Sequence, residues 1–308
     1  MKTVSQQQRL SVALLCPLLG LTRQAYYAHF RHQTQQAYVV HVVLCEVRRI
    51  RVDLPRLGTR KLLYKMRSFL LQHRFRLGRD AFFTLLEQHG LLIRARRRTQ
   101  PRTTFSGHVF RKFPNLLIDR IIDAPHQVWV ADITYIPIAG GFAYLFLLTD
   151  AYSHKIIGYS LEPTLHARGA VKALRMALRQ RPAGQTTIHH SDRGIQYCCT
   201  EYLDVLFAAK GQPSMTQNSD PRENAIAERV NGILKSELLA SSYPTLKALS
   251  QDLPRLISLY NVERPHLSLD LLTPSEAHQQ QGPLKRRWKP YAYRGADPGK
   301  VPDLVMPL

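Results

Sequence analysis

The chain has 308 residues, 44% of them hydrophobic, which is ample for a packed core in two domains or in one with appendages. Its 43 Lys and Arg against 22 Asp and Glu give a formal net charge of +21 and a pI near 10.2, which points to a polyanionic partner; with no long uncharged apolar span, nucleic acid is favoured over a membrane. Cys16, Cys45, Cys198 and Cys199 form no CxxC pair and have no histidine at zinc-finger spacing, so neither a disulfide framework nor a structural zinc is indicated.

The apolar stretch Ser11 to Leu21 is interrupted by Pro17 and lacks a small-residue cleavage pattern, so it reads as a short helix rather than a secretion signal. Gly20 then makes a turn, and Thr22 caps a second helix, a weak helix-turn-helix signal that equally fits an ordinary helical hairpin. Tyr38 to Val52 is the next helix candidate, and another starts at Pro55 to Gly58 with Arg60, Lys61, Lys65 and Arg67. Arg79 to His89 is the third of this block and is expected to turn Phe82, Phe83, Leu85 and Leu86 inward. From Ile93 to Lys112 the periodicity fails and the charge is one-sided: Arg94, Arg96, Arg97 and Arg98 open a basic linker expected to follow DNA phosphates.

Beyond Asn115 the pattern changes to strands: Val128 to Ile138, a tight turn at Ala139 to Gly141, Phe142 to Thr149, and Lys155 to Leu161. A helix from His166 to Arg179, a strand at Thr187 to Ser191, a helix from Thr200 to Lys210 and a short strand at Pro213 to Thr216 follow. Together they make an α/β sheet with mixed strand directions.

Two acids in this region stand out by setting. Asp132 sits in the middle of an apolar, β-branched strand, where an unpaired ionised carboxylate costs several kcal/mol unless it is paired, protonated or bound to a metal. Asp192 follows the buried strand Thr187 to Ser191, at a strand's C-terminal edge. Asp150 and Asp220 fit turn or cap roles instead, and His189 and His190 fit core roles, since hard Mg²⁺ prefers oxygen. Ser191 has no base at a compelling spacing. Gly194 is expected to permit a sharp turn beside the site.

A third acid, Glu228, lies in a helix from about Asn224 to Leu239. Asn224, Glu228, Asn231 and Lys235 fall on one face, expected to line a groove, while Ile226, Val230 and Ile233 share the opposite, packing face. Carboxylates in this number can hold two divalent cations about 3.5 to 4 Å apart, which polarise a phosphate, activate a nucleophile and stabilise a leaving oxygen. Such hard ligands suit Mg²⁺ or Mn²⁺.

The runs VWVADITYI, HHSDRGIQY, ENAIAERVNGILKSE and YNVERPHLSL with Thr273 and Pro274 resemble the successive signatures of DDE transposases of the IS-three insertion-sequence group, OrfB type, relatives of retroviral integrases. Thirty-five residues separate Asp192 from Glu228, the interval that names the D,D(35)E group. The resemblance implies a ribonuclease H-like fold preceded by a basic helix-turn-helix region. It implies Asp132, Asp192 and Glu228 as catalytic and metal-binding residues with two Mg²⁺ or Mn²⁺ ions, and Lys235 as the DNA-contacting lysine. Its expected partners are double-stranded DNA, both element terminal repeats and target, a second copy of the chain on that DNA, and an upstream-frame (OrfA-type) partner or fusion, in the bacterial cytoplasm at the nucleoid.

The expected domains are an N-terminal helical segment at 1–37, a basic helical DNA-binding domain at 38–92, a linker at 93–117, the catalytic core at 118–280 and a basic tail at 281–308. Asn231 is also expected to contact DNA. Leu246 to Tyr260 reads as a helix that Pro254 should kink, and in the motif after it Arg264 and His266 either touch phosphate or tie the C-terminal helix to the core. Two rival functions stand beside the transposase: an inactive or repurposed DNA-binding relative, and a structure-selective nuclease of the same fold.

Overall fold

The computed structural model describes residues 11–93, 110–217 and 221–285. The chain falls into two compact units, Met1–Arg94 and Ala95–Leu308.

In the first unit, α1 (Val12–Leu18) and α2 (Arg23–Asp53) are joined at Gly20, whose φ of 65° suits glycine, and Thr22 caps α2 by accepting from the Ala25 N–H at 3.0 Å. The expected boundary between residues 37 and 38 is absent. Helix α2 runs 31 residues without a break, because no Gly or Pro interrupts it. Three short helices follow, α3 (Thr59–Lys65), α4 (Arg67–Gln72) and α5 (Arg79–Gln88). Phe82, Leu85 and Leu86 are buried as expected, but Phe83, one step and 100° further round α5, is exposed. The packed residues Leu54, Leu57, Leu62, Met66 and Leu70 leave Arg48, Arg49, Arg60, Arg67, Arg74, Arg76 and Arg79 exposed on this unit.

The second unit is built on a five-stranded mixed sheet in the order β3-β2-β1-β4-β5: β1 (Val128–Ile138), β2 (Gly141–Asp150), β3 (Ile156–Glu162), β4 (Thr187–Ser191) and β5 (Gly211–Met215). The first three strands are antiparallel neighbours, and β4 and β5 run parallel to β1. The mixed directions are those expected from the strand pattern, and the arrangement is the ribonuclease H-like one that the family resemblance implied. Between β3 and β4 lies α6 (Ala167–Leu178); α7 (Ile195–Cys198), a short helix the sequence reading did not foresee, and α8 (Thr200–Ala208) precede β5. Past β5 come α9 (Ala225–Ile233), α10 (Leu246–Ser258) and α11 (Pro274–Ala277).

Strand alternation sorts the side chains of β1 between two cores. Trp129 and Ala131 join Phe146, Leu174, Tyr202 and Leu206 under α6 and α8, whereas Val128 and Val130 pack with Ile188 and with Ala227 of α9. Asp132 shares the parity of Val128 and Val130. Its carboxylate therefore rises on the side of the sheet that α9 covers.

Helix α6 lies very close to β3. A Cβ built on Gly158 would overlap the Ala173 carbonyl oxygen, and backbone cannot move aside as a flexible side chain can. Gly158→Ala is therefore expected to cost at least ~2 kcal/mol, read as a lower melting temperature with the far-ultraviolet spectrum retained.

Candidate active site

Asp132 reaches the site from β1 half-buried, and both of its oxygens are held: Oδ1 accepts its neighbour's Ile133 N–H at 2.9 Å and Oδ2 accepts from Asn231 Nδ2 at 2.7 Å. Burial and then the charge of Asp192 push its carboxyl from the usual 3.8 to about 7, against the lowering effect of the two hydrogen bonds; Glu228 adds a smaller push in the same direction. Asp132 and Asp192 thus share one electrostatic site.

Asp192 stands just past the end of β4, where its Oδ1 accepts the Gly194 N–H at 3.0 Å. Gly194 does not supply unusual backbone, since its φ is −65°. What it supplies is room: a Cβ there would stand 2.9 Å from the same Asp192 oxygen. The loop is anchored from below by His190, whose Nε2 donates to the Glu223 carbonyl at 3.0 Å and whose Nδ1 lies 2.9 Å from Ser214 Oγ. His189 is a core residue 2.7 Å from the Tyr202 hydroxyl, and burial pushes its ring down to about 3. Neither histidine competes as a ligand. Ser191 is fully buried, which agrees with its having no nucleophilic role.

Glu228 is exposed on α9, one residue from buried Ala227 and three from buried Asn231. The expected division of this helix needs correcting. Its packed face carries Asn224 and Asn231 as well as Ala227, Val230 and Ile233, so Asn231 faces a carboxylate of the protein and not DNA. The helix is also shorter than expected: Pro221–Asn224 is a 3₁₀ turn, and Leu234–Leu238 is a π turn that carries Lys235, which is exposed. Among the described residues, no three His, Cys, Asp or Glu side chains stand together as a ready-made metal cage. The sheet brings two of the expected acids together, and the third lies at the helix rim.

The remaining expected DNA contacts divide. Arg264 is buried, and its guanidinium forms a two-pronged pair with Glu237, Nε to Oε2 at 2.9 Å and Nη2 to Oε1 at 2.7 Å. Glu237 lies in the π turn after α9, and Arg264 ends a second π turn, Leu259–Glu263, after α10. Of its two expected roles the structure selects the tie between helices. His266 is likewise buried, with its ring 5.0 Å from that of Tyr260. Arg94, Arg96, Arg97 and Arg98 lie outside the described residues, as do Asp220 and most of the tail.

Asp150 fills the turn role assigned to it. It is fully buried and accepts from the His126 N–H, the Ser153 N–H and the Ser153 hydroxyl. Burial pushes its carboxyl up, but those hydrogen bonds and the His278 ring outweigh it and leave it lowered. Sequence reasoning missed the part played by Asn224, whose Nδ2 donates to the Ala131 carbonyl at 3.0 Å. Its spacing from Glu228 and Asn231 was the available signal.

Two family models, both described as the integrase core domain, match residues 123–221 and 210–274. The chain is 30% identical over 270 residues to the insertion element IS600 31 kDa protein of Shigella sonnei, covering 85% of this chain and 96% of that protein. It is 30% identical over 241 residues to the transposase InsF for insertion sequence IS3A of Escherichia coli K12, covering 76% and 81%. A putative transposase for the element IS986/IS6110 of Mycobacterium tuberculosis is 36% identical over 126 residues, 39% of this chain and 45% of that protein.

Proposed function

The chain belongs to the integrase-core transposases of the IS-three insertion-sequence group, and from that premise we propose that it cuts DNA at the ends of its element and joins the freed 3′-hydroxyl to target DNA, with Asp132, Asp192 and Glu228 as the acids that hold the metal. One observation carries this reading. Burial first and the charge of Asp192 second lift the Asp132 carboxyl to about 7, the mark of two acids sharing a site that lacks positive charge.

The donor set fits a hard divalent cation, Mg²⁺ or Mn²⁺: it is all oxygen, and the buried Oδ1 of Asn231 beside it has no hydrogen-bond partner among the described residues. A pair of such ions supplies Lewis acidity towards the scissile phosphate and lowers the pKa of a bound water or hydroxyl. The protein's own groups do the placing. Asn231 and the Ile133 N–H fix the Asp132 carboxylate, the Gly194 N–H fixes Asp192, and Glu228 lies one turn before Asn231 at the open edge, where substrate enters. Lys235 is exposed further along the same segment, a setting for a phosphate contact next to the cut.

The exposed arginines of the first unit and the basic linker supply the salt-dependent part of DNA binding. Two element ends have to be cut and joined together, which calls for more than one copy of the chain on DNA, and an upstream-frame partner belongs to the same reading. Among the described residues no helix is long and apolar enough to cross a membrane. All three acids are present, which argues against an inactive relative.

The deciding experiment is a strand-transfer assay with candidate end DNA. Joined product in Mg²⁺ supports the reading, and cutting of branched DNA without joining would favour the nuclease. Mg²⁺ or Mn²⁺ should support cleavage, Ca²⁺ binding alone, and excess EDTA neither cleavage nor joining; full cleavage in EDTA would remove the metal from the reaction. Lys235→Ala is expected to slow joining roughly tenfold while shifting the melting temperature by less than about 1 °C, since it takes away a phosphate contact from an exposed position. An unchanged joining rate would take Lys235 out of the DNA path.

A further inference from the structure

Helix α9 is fastened to β1 by two asparagines. Asn224 Nδ2 donates to the carbonyl of Ala131 at 3.0 Å and Asn231 Nδ2 donates to the carboxylate of the next residue, Asp132, at 2.7 Å. The two asparagines are two helical turns apart, and Glu228 lies between them, four residues after the first and three before the second. Both are buried, and the Oδ1 of each has no hydrogen-bond partner among the described residues.

Stability alone does not favour this arrangement, because a buried acceptor without a partner costs about 1–3 kcal/mol and an apolar side chain of the same shape would avoid that cost. The side chain is also specific in charge. Lysine or arginine at position 231 would neutralise Asp132 and compete with a cation, and a carboxylate would repel it. A neutral amide holds the carboxylate in place and leaves its negative charge available. Among the described residues each Asp132 oxygen takes one hydrogen bond, which leaves lone pairs for a further ligand.

We infer that Asn224 and Asn231 are positioning residues that set the register of α9 on β1, and through it the placement of Glu228 and Asp132 towards the divalent cation. The inference rests on the metal-dependent reading above. It adds that affinity for the ion depends on the hydrogen bonds these two amides make to β1, and not on the acids alone.

The test is Mn²⁺ titration of the full chain by calorimetry, with the melting temperature of the metal-free protein measured beside it. Asn231→Leu and Asn224→Leu, near-isosteric but without a donor, are each expected to raise the Mn²⁺ dissociation constant ten- to a hundredfold. The control is Asn261→Leu, which removes another buried asparagine clamp, one that grips the Ile156 N–H and carbonyl on β3 at the sheet's far edge. It should lower the melting temperature and leave the constant within about twofold, as expected for a structural hydrogen bond away from the site.

If Asn231→Leu lowers the melting temperature but moves the constant no more than the control does, the amides are ordinary core groups and the inference is overturned. Should Asn231→Leu fail to fold, Asn231→Ser, polar but too short to reach Asp132, is read on the same scale with the same two outcomes. Asp132→Asn separates the two levels. If it leaves Mn²⁺ binding intact, the metal reading falls and takes the inference with it; if it abolishes binding while the asparagine variants bind normally, only the inference falls.

Discussion

Asp132→Asn is expected to abolish strand cleavage, to leave DNA binding in place, and to make the metal-free protein more heat-stable above neutral pH. The first two effects follow from the location of the charge: one ligand disappears, while the exposed arginines of the first unit are untouched. The third follows from the lifted carboxyl. Because the folded chain holds the Asp132 proton up to about pH 7 and the unfolded chain releases it near 3.8, wild-type stability is fully present below about pH 4 and is lost as pH rises towards 7. Asparagine does not titrate, and its one amide oxygen can keep the hydrogen bond from Asn231 while the one from the Ile133 N–H is given up. The variant's advantage should be absent at pH 4, grow to roughly 5 °C or more near pH 7, and stay constant above that. Mg²⁺ should raise the wild-type melting temperature at pH 8 and leave the variant's unchanged. Melting curves at pH 4, 6 and 8, with and without Mg²⁺, decide it; a variant less stable than wild type at pH 8 would show that burial and the neighbouring acids do not lift the Asp132 carboxyl as argued.

The second large effect lies away from the acids. Arg264→Ala leaves the Glu237 carboxylate without its two-pronged partner, with its side chain only 18% exposed. Breaking a buried pair from one side costs about 3–5 kcal/mol, and the partial exposure of Glu237 places this case near 3, roughly 6–12 °C in a unit of this size. The double replacement Arg264→Met with Glu237→Leu should recover most of that loss, because it removes both charges and fills the volume. DNA affinity at a fixed temperature, measured by gel shift below the melting transition, should change little in either variant. If Arg264→Ala instead weakened DNA binding while the melting temperature held, Arg264 would be a phosphate contact after all.

The two variants also show where sequence reading stops. Asp132 could be picked out from the chain alone, because the surprise is local: a single acid inside a continuous apolar, β-branched and aromatic run. The succession of strands along the chain, the Thr187–Ser191 strand and the cap at Thr22 were legible for the same reason, each being decided by neighbours within a few positions. Arg264 and His266 were not. Twenty-seven residues separate Arg264 from Glu237, so nothing in the local pattern says whether its charge meets protein or phosphate.

The long α2 helix was split by reading composition in blocks where the backbone, with no Gly or Pro, had no reason to stop. On α9 the spacing grouped Asn224, Glu228 and Asn231 on one face, which was read as a groove because polar residues usually point to solvent; the structure buries the two asparagines and leaves Glu228 exposed. What reversed it was β1, ninety-nine residues away, which offers Asn231 a carboxylate to hold. Periodicity thus determined which residues share a side of an element, since helical and extended backbones fix those directions within a few residues. What lies opposite that side was decided only when the sheet closed, because burial and charge at a site are sums over residues the chain brings together from far apart.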